Sequence, residues 1–290
     1  MQAQSPVPGT VSPVLSLRGI SKSFPGVRAL NGVELDLYPG LVTALIGENG
    51  AGKSTIVKIL TGIYQPDEGT ITVDGQPAHF PTAQAAGQAG VTAIHQETVL
   101  FDDLTVAENI LATREPRRFG FINAKELAAK PRAIVADLGL PIDVSEKVGN
   151  LSIAQRQLVE IAKGLSHEAK VVILDEPTSS LSDSEAEILF EIIGRLKSRG
   201  VAVIYISHRM EEIMRLSDDI TVIRDGEYVS THDRDDVTIE ALIALMVGRR
   251  MDEIYPPPAH EQKAKATPVL AVDGLTRDGE DVVVADYPAH

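Results

Sequence analysis

At 290 residues the chain is long enough for one large domain or two small ones, with a core that needs no covalent staples. It has no cysteine, which excludes disulfides and thiolate metal sites, and its formal net charge of −14 argues against a nucleic-acid-binding surface, because such surfaces are normally basic. No apolar run approaches the ~18 residues that span a bilayer. Met1 to Gly9 has neither a basic region nor an apolar core, so the expected setting is cytosolic, with a membrane touched only through a partner.

Met1–Pro13 is rich in Pro, Ser and Gln and reads as a disordered lead-in, with the fold starting near Val14. Leu15 and Leu17, then Val33, Leu35 and Leu37, alternate with polar residues and predict two half-buried strands. The apolar run Leu41–Ile46 predicts a buried strand, and Ile56–Leu60 the first turns of a helix. Between them lies Gly47-Glu48-Asn49-Gly50-Ala51-Gly52-Lys53-Ser54-Thr55, which matches G-x-x-x-x-G-K-[ST] in the strand-to-helix setting that a phosphate-binding P-loop needs. Gly47, Gly50 and Gly52 let successive N–H groups turn inward, and the helix beginning near Lys53 adds its positive end. On this reading Lys53 reaches the β- and γ-phosphates of a nucleotide, and the Ser54 hydroxyl holds a bridging Mg²⁺. Asp74-Gly75, between Thr70–Val73 and Gln76–His79, predicts a hairpin, and hence a small antiparallel sheet leaning on the nucleotide site.

From Leu104 to Leu165 the pattern turns helical, with capping spacings at Thr105/Glu108 and Asn123/Glu126 and a kink or break expected at Pro131. Within it, Leu151-Ser152-Ile153-Ala154-Gln155 places Ser152 as N-cap and Gln155 at the reciprocal position of a helix over Ile153–Leu165. The α/β pattern then returns as strand Val171–Leu174, helix Asp183–Arg199 closed by Gly200, and strand Val201–Ile206, an order that implies a parallel sheet. The strand ending in Asp175-Glu176 points two carboxylates at the ligand crevice, Asp175 suited to Mg²⁺ through water and Glu176 to polarising an attacking water. A second hairpin at Asp225-Gly226 and a helix over Thr238–Val247 follow. Residues 251–267, with Pro256-Pro257-Pro258, read as an inter-domain linker.

P-loop, Gln96, the Leu151–Gln155 motif, Asp175-Glu176, Ser179-Ser180-Leu181-Ser182-Asp183 and His208 occur in that order, and the sequence resembles the nucleotide-binding subunit of an ATP-binding cassette (ABC) transporter from Val14 to about Arg250. The resemblance implies an α/β P-loop NTPase domain with an antiparallel β subdomain and an inserted helical subdomain, ATP and Mg²⁺ as ligands, and hydrolysis of ATP. It implies that Phe24 stacks on adenine, that Gln96 senses Mg²⁺ and links to the membrane subunit, and that His208 contacts the γ-phosphate. It also implies that Ser152, with Ile153, Ala154 and Gln155, caps the γ-phosphate of a facing cassette's ATP. The family's usual two glycines after the serine are Ile153 and Ala154 here, which keeps the hydroxyl and the helix-terminal amides while losing backbone freedom.

Leu151–Lys163, Ser23–Leu30 and Ile206–Ile213 resemble the monosaccharide importers, whose polypeptides carry two fused cassettes. Val269–Thr276 echoes Val14–Ser21, so residues 268–290 read as the start of a second cassette. The expected partners are a membrane permease, a second nucleotide-binding domain and, indirectly, a sugar-binding protein, at the inner face of the cell membrane and without nucleic acid. Rival readings are a soluble ABC protein of translation or DNA repair, and a fragment that binds ATP with little turnover. Val99, Leu100 and Phe101 are read either as part of a groove for a permease helix or as core packing.

Overall fold

The computed structural model describes residues 11–94, 100–112, 116–118, 121–122, 124–166, 169–179, 181–248, 276–277 and 280–281. The chain divides into two units, Met1–Arg249 and Arg250–His290. In the second, the described residues are the paired two-residue strands β13 (Thr276–Arg277) and β14 (Glu280–Asp281). The expected lead-in up to residue 10, the linker and most of the second-cassette start lie outside the described residues.

The first unit opens with a long antiparallel hairpin, β1 (Leu15–Phe24) and β2 (Val27–Leu37), followed by the fully buried β3 (Val42–Ile46) and α1 (Lys53–Leu60). Strands β4 (Glu68–Val73) and β5 (Gln76–Ala78) turn on Asp74 and Gly75, both at positive φ, as the Asp-Gly hairpin requires. Together they complete a four-stranded antiparallel sheet in the order β2-β1-β4-β5.

Then come α2 (Ala83–Gln88), β6 (Val91–Ile94), α3 (Val106–Ile110), the short pair β7 (Arg117–Arg118) and β8 (Phe121–Ile122), α4 (Ala124–Asp137) and α5 (Ile153–Gly164). Thr105 and Glu108 form the expected capping box on α3. Asn123 lies outside the described residues. Pro131 does not break its helix: α4 runs through it, with Pro131 buried, so packing outweighs the missing N–H.

The α/β pattern resumes in β9 (Val171–Asp175), α6 (Asp183–Ser198), β10 (Ala202–Ile206), α7 (Met210–Leu216), β11 (Asp219–Arg224), β12 (Glu227–Asp233) and α8 (Ile239–Val247). The main sheet has the order β12-β11-β3-β10-β9-β6, parallel except for the antiparallel edge strand β12.

The pleat sorts its side chains between layers. Leu45, Ile173, Ile204 and Ile206 pack toward α1 and the antiparallel sheet, while Val42, Val172, Leu174, Val203 and Tyr205 pack toward α3 to α6. Near the β12 edge, Ala44, Ile46, Ile220 and Val222 pack with Ile213 of α7 and Leu242 of α8. The inserted helices therefore share one core with the sheet. Each fully buried Leu or Ile there contributes about 1.5–3 kcal/mol. Parallel order aligns the ends of β3, β9 and β10, so the P-loop, Asp175-Glu176 and Ser207-His208 leave the sheet at one edge.

Candidate nucleotide site

At that edge a cavity of about 260 Å³ is lined by loop residues 49, 50 and 52–55, by Ala29 of β2, and by Asp175, Glu176 and Ile206. Gly50 and Gly52 adopt φ of 87° and 105°, which explains two of the loop's glycines by backbone freedom. The third has a different cause, since a Cβ on Gly47 would stand 2.3 Å from the Ile223 carbonyl oxygen. Helix α1 starts on Gly52 with no side-chain cap, which leaves its positive end facing the cavity for an anion. Lys53 Nζ donates to the Gly47 and Glu48 carbonyls at 2.6 and 3.1 Å. Burial pulls the Lys53 ammonium below its usual pKa, and the negative charges of Glu176 and Asp175 oppose that shift.

Glu176 sits just past β9 with φ of 50°, a left-handed conformation that a non-glycine residue holds only when its surroundings fix it. Its N–H donates to the Ile206 carbonyl at 2.9 Å, tying it to the end of β10. His208 Nδ1 lies 2.8 Å from Glu176 Oε2, and the Nδ1–H form donates across that gap. The sequence thus places Lys53, Ser54, Asp175, Glu176 and His208 together, although they span more than 150 positions.

The other expected residues are placed separately. Phe24, half-buried at the end of β1, meets Tyr64 edge-on with ring centroids 5.1 Å apart. Ser152 forms the predicted capping box on α5, its hydroxyl accepting from Gln155 N–H at 3.2 Å and Gln155 Oε1 accepting from Ser152 N–H at 3.0 Å. Ile153 is 67% exposed while Ala154 is buried. Gln96 and Val99 lie outside the described residues. Leu100 packs against the core, whereas Phe101 is 53% exposed and Leu104 37%, so the two readings of this segment divide between adjacent residues. The buried Asn109 fixes Phe101 by accepting from its N–H at 2.8 Å and donating to its carbonyl at 3.0 Å.

Three residues near the site carry no sequence motif of their own. Tyr64 braces Phe24. Gln157 of α5 is buried and donates to the Pro177 carbonyl at 2.5 Å, one residue past Glu176. Glu212 of α7 is a buried carboxylate, and its spacing of four from His208 was the one available clue.

A parallel sheet with a glycine-lined strand-to-helix loop, a loop lysine and paired acids at the end of a strand two places away defines a P-loop nucleotide-binding cassette. The model of the family described as ABC transporter matches residues 30–179. The ribose import ATP-binding proteins RbsA of Jannaschia sp. (strain CCS1) and RbsA 1 of Rhizobium meliloti (strain 1021) are each 52% identical to the chain, over 92% and 93% of it. The alignments cover 52% and 53% of those proteins, so the chain spans about half the length of the relatives it matches. Among solved structures, a nucleotide-free ATP-binding cassette from an ABC transporter is similar at a TM-score of 0.68 and 26% identity, covering 76% of this chain and 91% of that one. An ABC transporter cassette in its ADP conformation reaches 0.70 at 26% identity, covering 84% and 98%. The chain belongs to the ABC transporter family, as an ATP-binding cassette.

Proposed function

We propose that this cassette hydrolyses MgATP to ADP and phosphate to drive uptake of a monosaccharide through a membrane permease, docked at the inner face of the cell membrane. The observation that carries the reading is the Glu176–His208 contact at the mouth of the P-loop cavity. Glu176 is the general base that orients and deprotonates the attacking water, and His208 holds that carboxylate and reaches the γ-phosphate. The loop amides, the start of α1 and Lys53 bind the phosphates, with Phe24 stacking on adenine.

Among the described residues no cluster of three or more His, Asp or Glu side chains could cage a metal. That suits Mg²⁺, which takes one or two protein oxygens and completes its shell with phosphates and water. Ser54 and Asp175, with Gln96, are the residues to hold it, and when bound it neutralises charge developing on the phosphates. Glu176→Gln should abolish turnover while leaving ATP binding intact, and wild-type turnover in that variant would remove Glu176 from the role of base. Lys53→Ala should instead weaken ATP binding itself.

The sugar-import relatives support the direction and class of transport. The exposed pair Phe101 and Leu104, held by Asn109 and flanking the helical insertion, supports a groove for a permease helix. Phe101→Glu should then leave the cassette folded and hydrolytically active but uncouple hydrolysis from transport in the assembled importer.

A further inference from the structure

Glu212 is 5% exposed, yet it is a carboxylate, and such a group is tolerated in a core only when its oxygens are satisfied. Its Oε2 accepts from three hydroxyls: Thr178 Oγ1 at 2.9 Å, Tyr205 OH at 2.7 Å and Ser207 Oγ at 3.1 Å. Its Oε1 makes no hydrogen bond and is held by the charge of Arg209, whose Nη1 lies 2.7 Å away. Ser207 Oγ in turn accepts from Arg209 N–H at 3.0 Å. These donors come from different segments. Thr178 lies two residues past Glu176, Tyr205 is in β10, and Ser207 and Arg209 flank His208.

We propose that Glu212 is a positioning residue for the Glu176–His208 pair, one buried carboxylate that fixes the two segments carrying it. Glu176 needs such fixing because of its left-handed backbone. The Ile206 carbonyl holds it on one side, and Thr178, bonded to Glu212, holds the chain on the other. His208 needs it because its side chain is 75% exposed, so packing does not hold the imidazole and its aim depends on the backbone at Ser207 and Arg209. Ser207 hydrogen-bonds to Glu212 and Arg209 is ion-paired with it. A carboxylate suits the task, since one oxygen accepts from three hydroxyls while its charge pairs with the Arg209 guanidinium. An amide in its place turns a donating NH₂ either on the three hydroxyls or on the Arg209 guanidinium.

This proposal rests on the reading of Glu176 and His208 as the hydrolytic pair, and the test separates the two. Turnover and KM for MgATP, ATP affinity and melting temperature are measured for the wild type, Glu212→Gln, His208→Ala and the double variant. Glu212→Gln should lower kcat at least ~10-fold with KM and ATP affinity within ~2-fold, and in the His208→Ala background it should lower kcat by less than ~2-fold more. Tyr205→Phe, which deletes one donor and keeps the ring in the core, should lower kcat about 3-fold with the same unchanged KM. It decides the matter should Glu212→Gln fail to fold. Unchanged kcat in Glu212→Gln or, in that event, in Tyr205→Phe overturns the proposal. So do losses from Glu212→Gln and His208→Ala that multiply in full, which mark a carboxylate supporting the fold alone. Wild-type turnover in His208→Ala would show that the underlying reading has failed, and the proposal falls with it.

Discussion

Asp219 begins β11 at the end of the main sheet opposite the P-loop, and it is 8% exposed. Burial, then the neighbouring charges of Asp218 and Asp233, push its carboxyl up to about 6. The unfolded chain releases this proton near pH ~4. The folded state therefore binds it more tightly, and the resulting stabilisation is complete below pH ~4 and is lost as pH rises through about 6. Asp219→Asn cannot ionise and should be more stable than the wild type at pH 8, by at most about 3 kcal/mol, with no such gain at pH 3.5. Urea melts at the two pH values check the sign. At this scale the sequence was legible where chemistry imposes spacing, as in the P-loop and Asp175-Glu176. For Glu212 it offers only the spacing from His208, because a glutamate on a seven-residue helix reads as solvated, and its burial depends on hydroxyls delivered from two other segments.

Helix α5 shows what an element contributes beyond its residues. Its cap offers Ser152 at the surface, its buried stripe of Leu158, Ile161 and Ala162 joins the core shared with the sheet, and Gln157 reaches the loop behind Glu176. Ser152→Ala should cost about 1 kcal/mol through the lost cap. Gln157→Leu should cost about 1–3 kcal/mol by leaving the buried Pro177 carbonyl without that donor. Thermal melts of the two variants give the comparison, and Gln157→Leu should also slow turnover by disturbing the chain next to Glu176. Elements with strong periodicity or caps were readable in advance, including α5, α6 and both Asp-Gly hairpins. Strand β6, four residues long, and α7, which starts on Arg209 without a side-chain cap bond, were not, since neither is long enough to show a period. Of the kink or break expected at Pro131, the break does not occur, for a tertiary reason. Val135 in the second half of α4 and Leu138 just past its end are buried, and Arg199 pairs with its last residue, Asp137, at 2.6 Å.

At the scale of the molecule, the family resemblance implies a nucleotide shared between the P-loop of one cassette and the Ser152 end of another, and we propose that arrangement for this chain. A single cassette then completes no site by itself. Turnover by the purified chain should be slow and should rise with protein concentration. Glu176→Gln with ATP should form a head-to-tail pair detectable by light scattering, and adding Ser152→Arg should abolish it. Fast turnover independent of concentration would contradict this arrangement. The order of strands in the main sheet was beyond sequence reading, because alternating strands and helices fix parallelism but not which strands are neighbours.

One join between the two sheets has a further consequence. A Cβ on Gly226 would lie 2.6 Å from the Ala29 carbonyl oxygen and one on Gly52 would lie 2.9 Å from it, so β2, the P-loop and the β11–β12 turn meet there backbone to backbone. Asn31 N–H donates to the Gly226 carbonyl at 2.8 Å and Gly226 N–H to the Ala51 carbonyl at 3.1 Å. Both bonds run through Gly226, so one displacement of the β11–β12 turn away from β2 and the P-loop frees both amides. In deuterated buffer these two amides should therefore exchange at matched rates, governed by one shared opening and slower than fraying at the exposed Val27 end of β2.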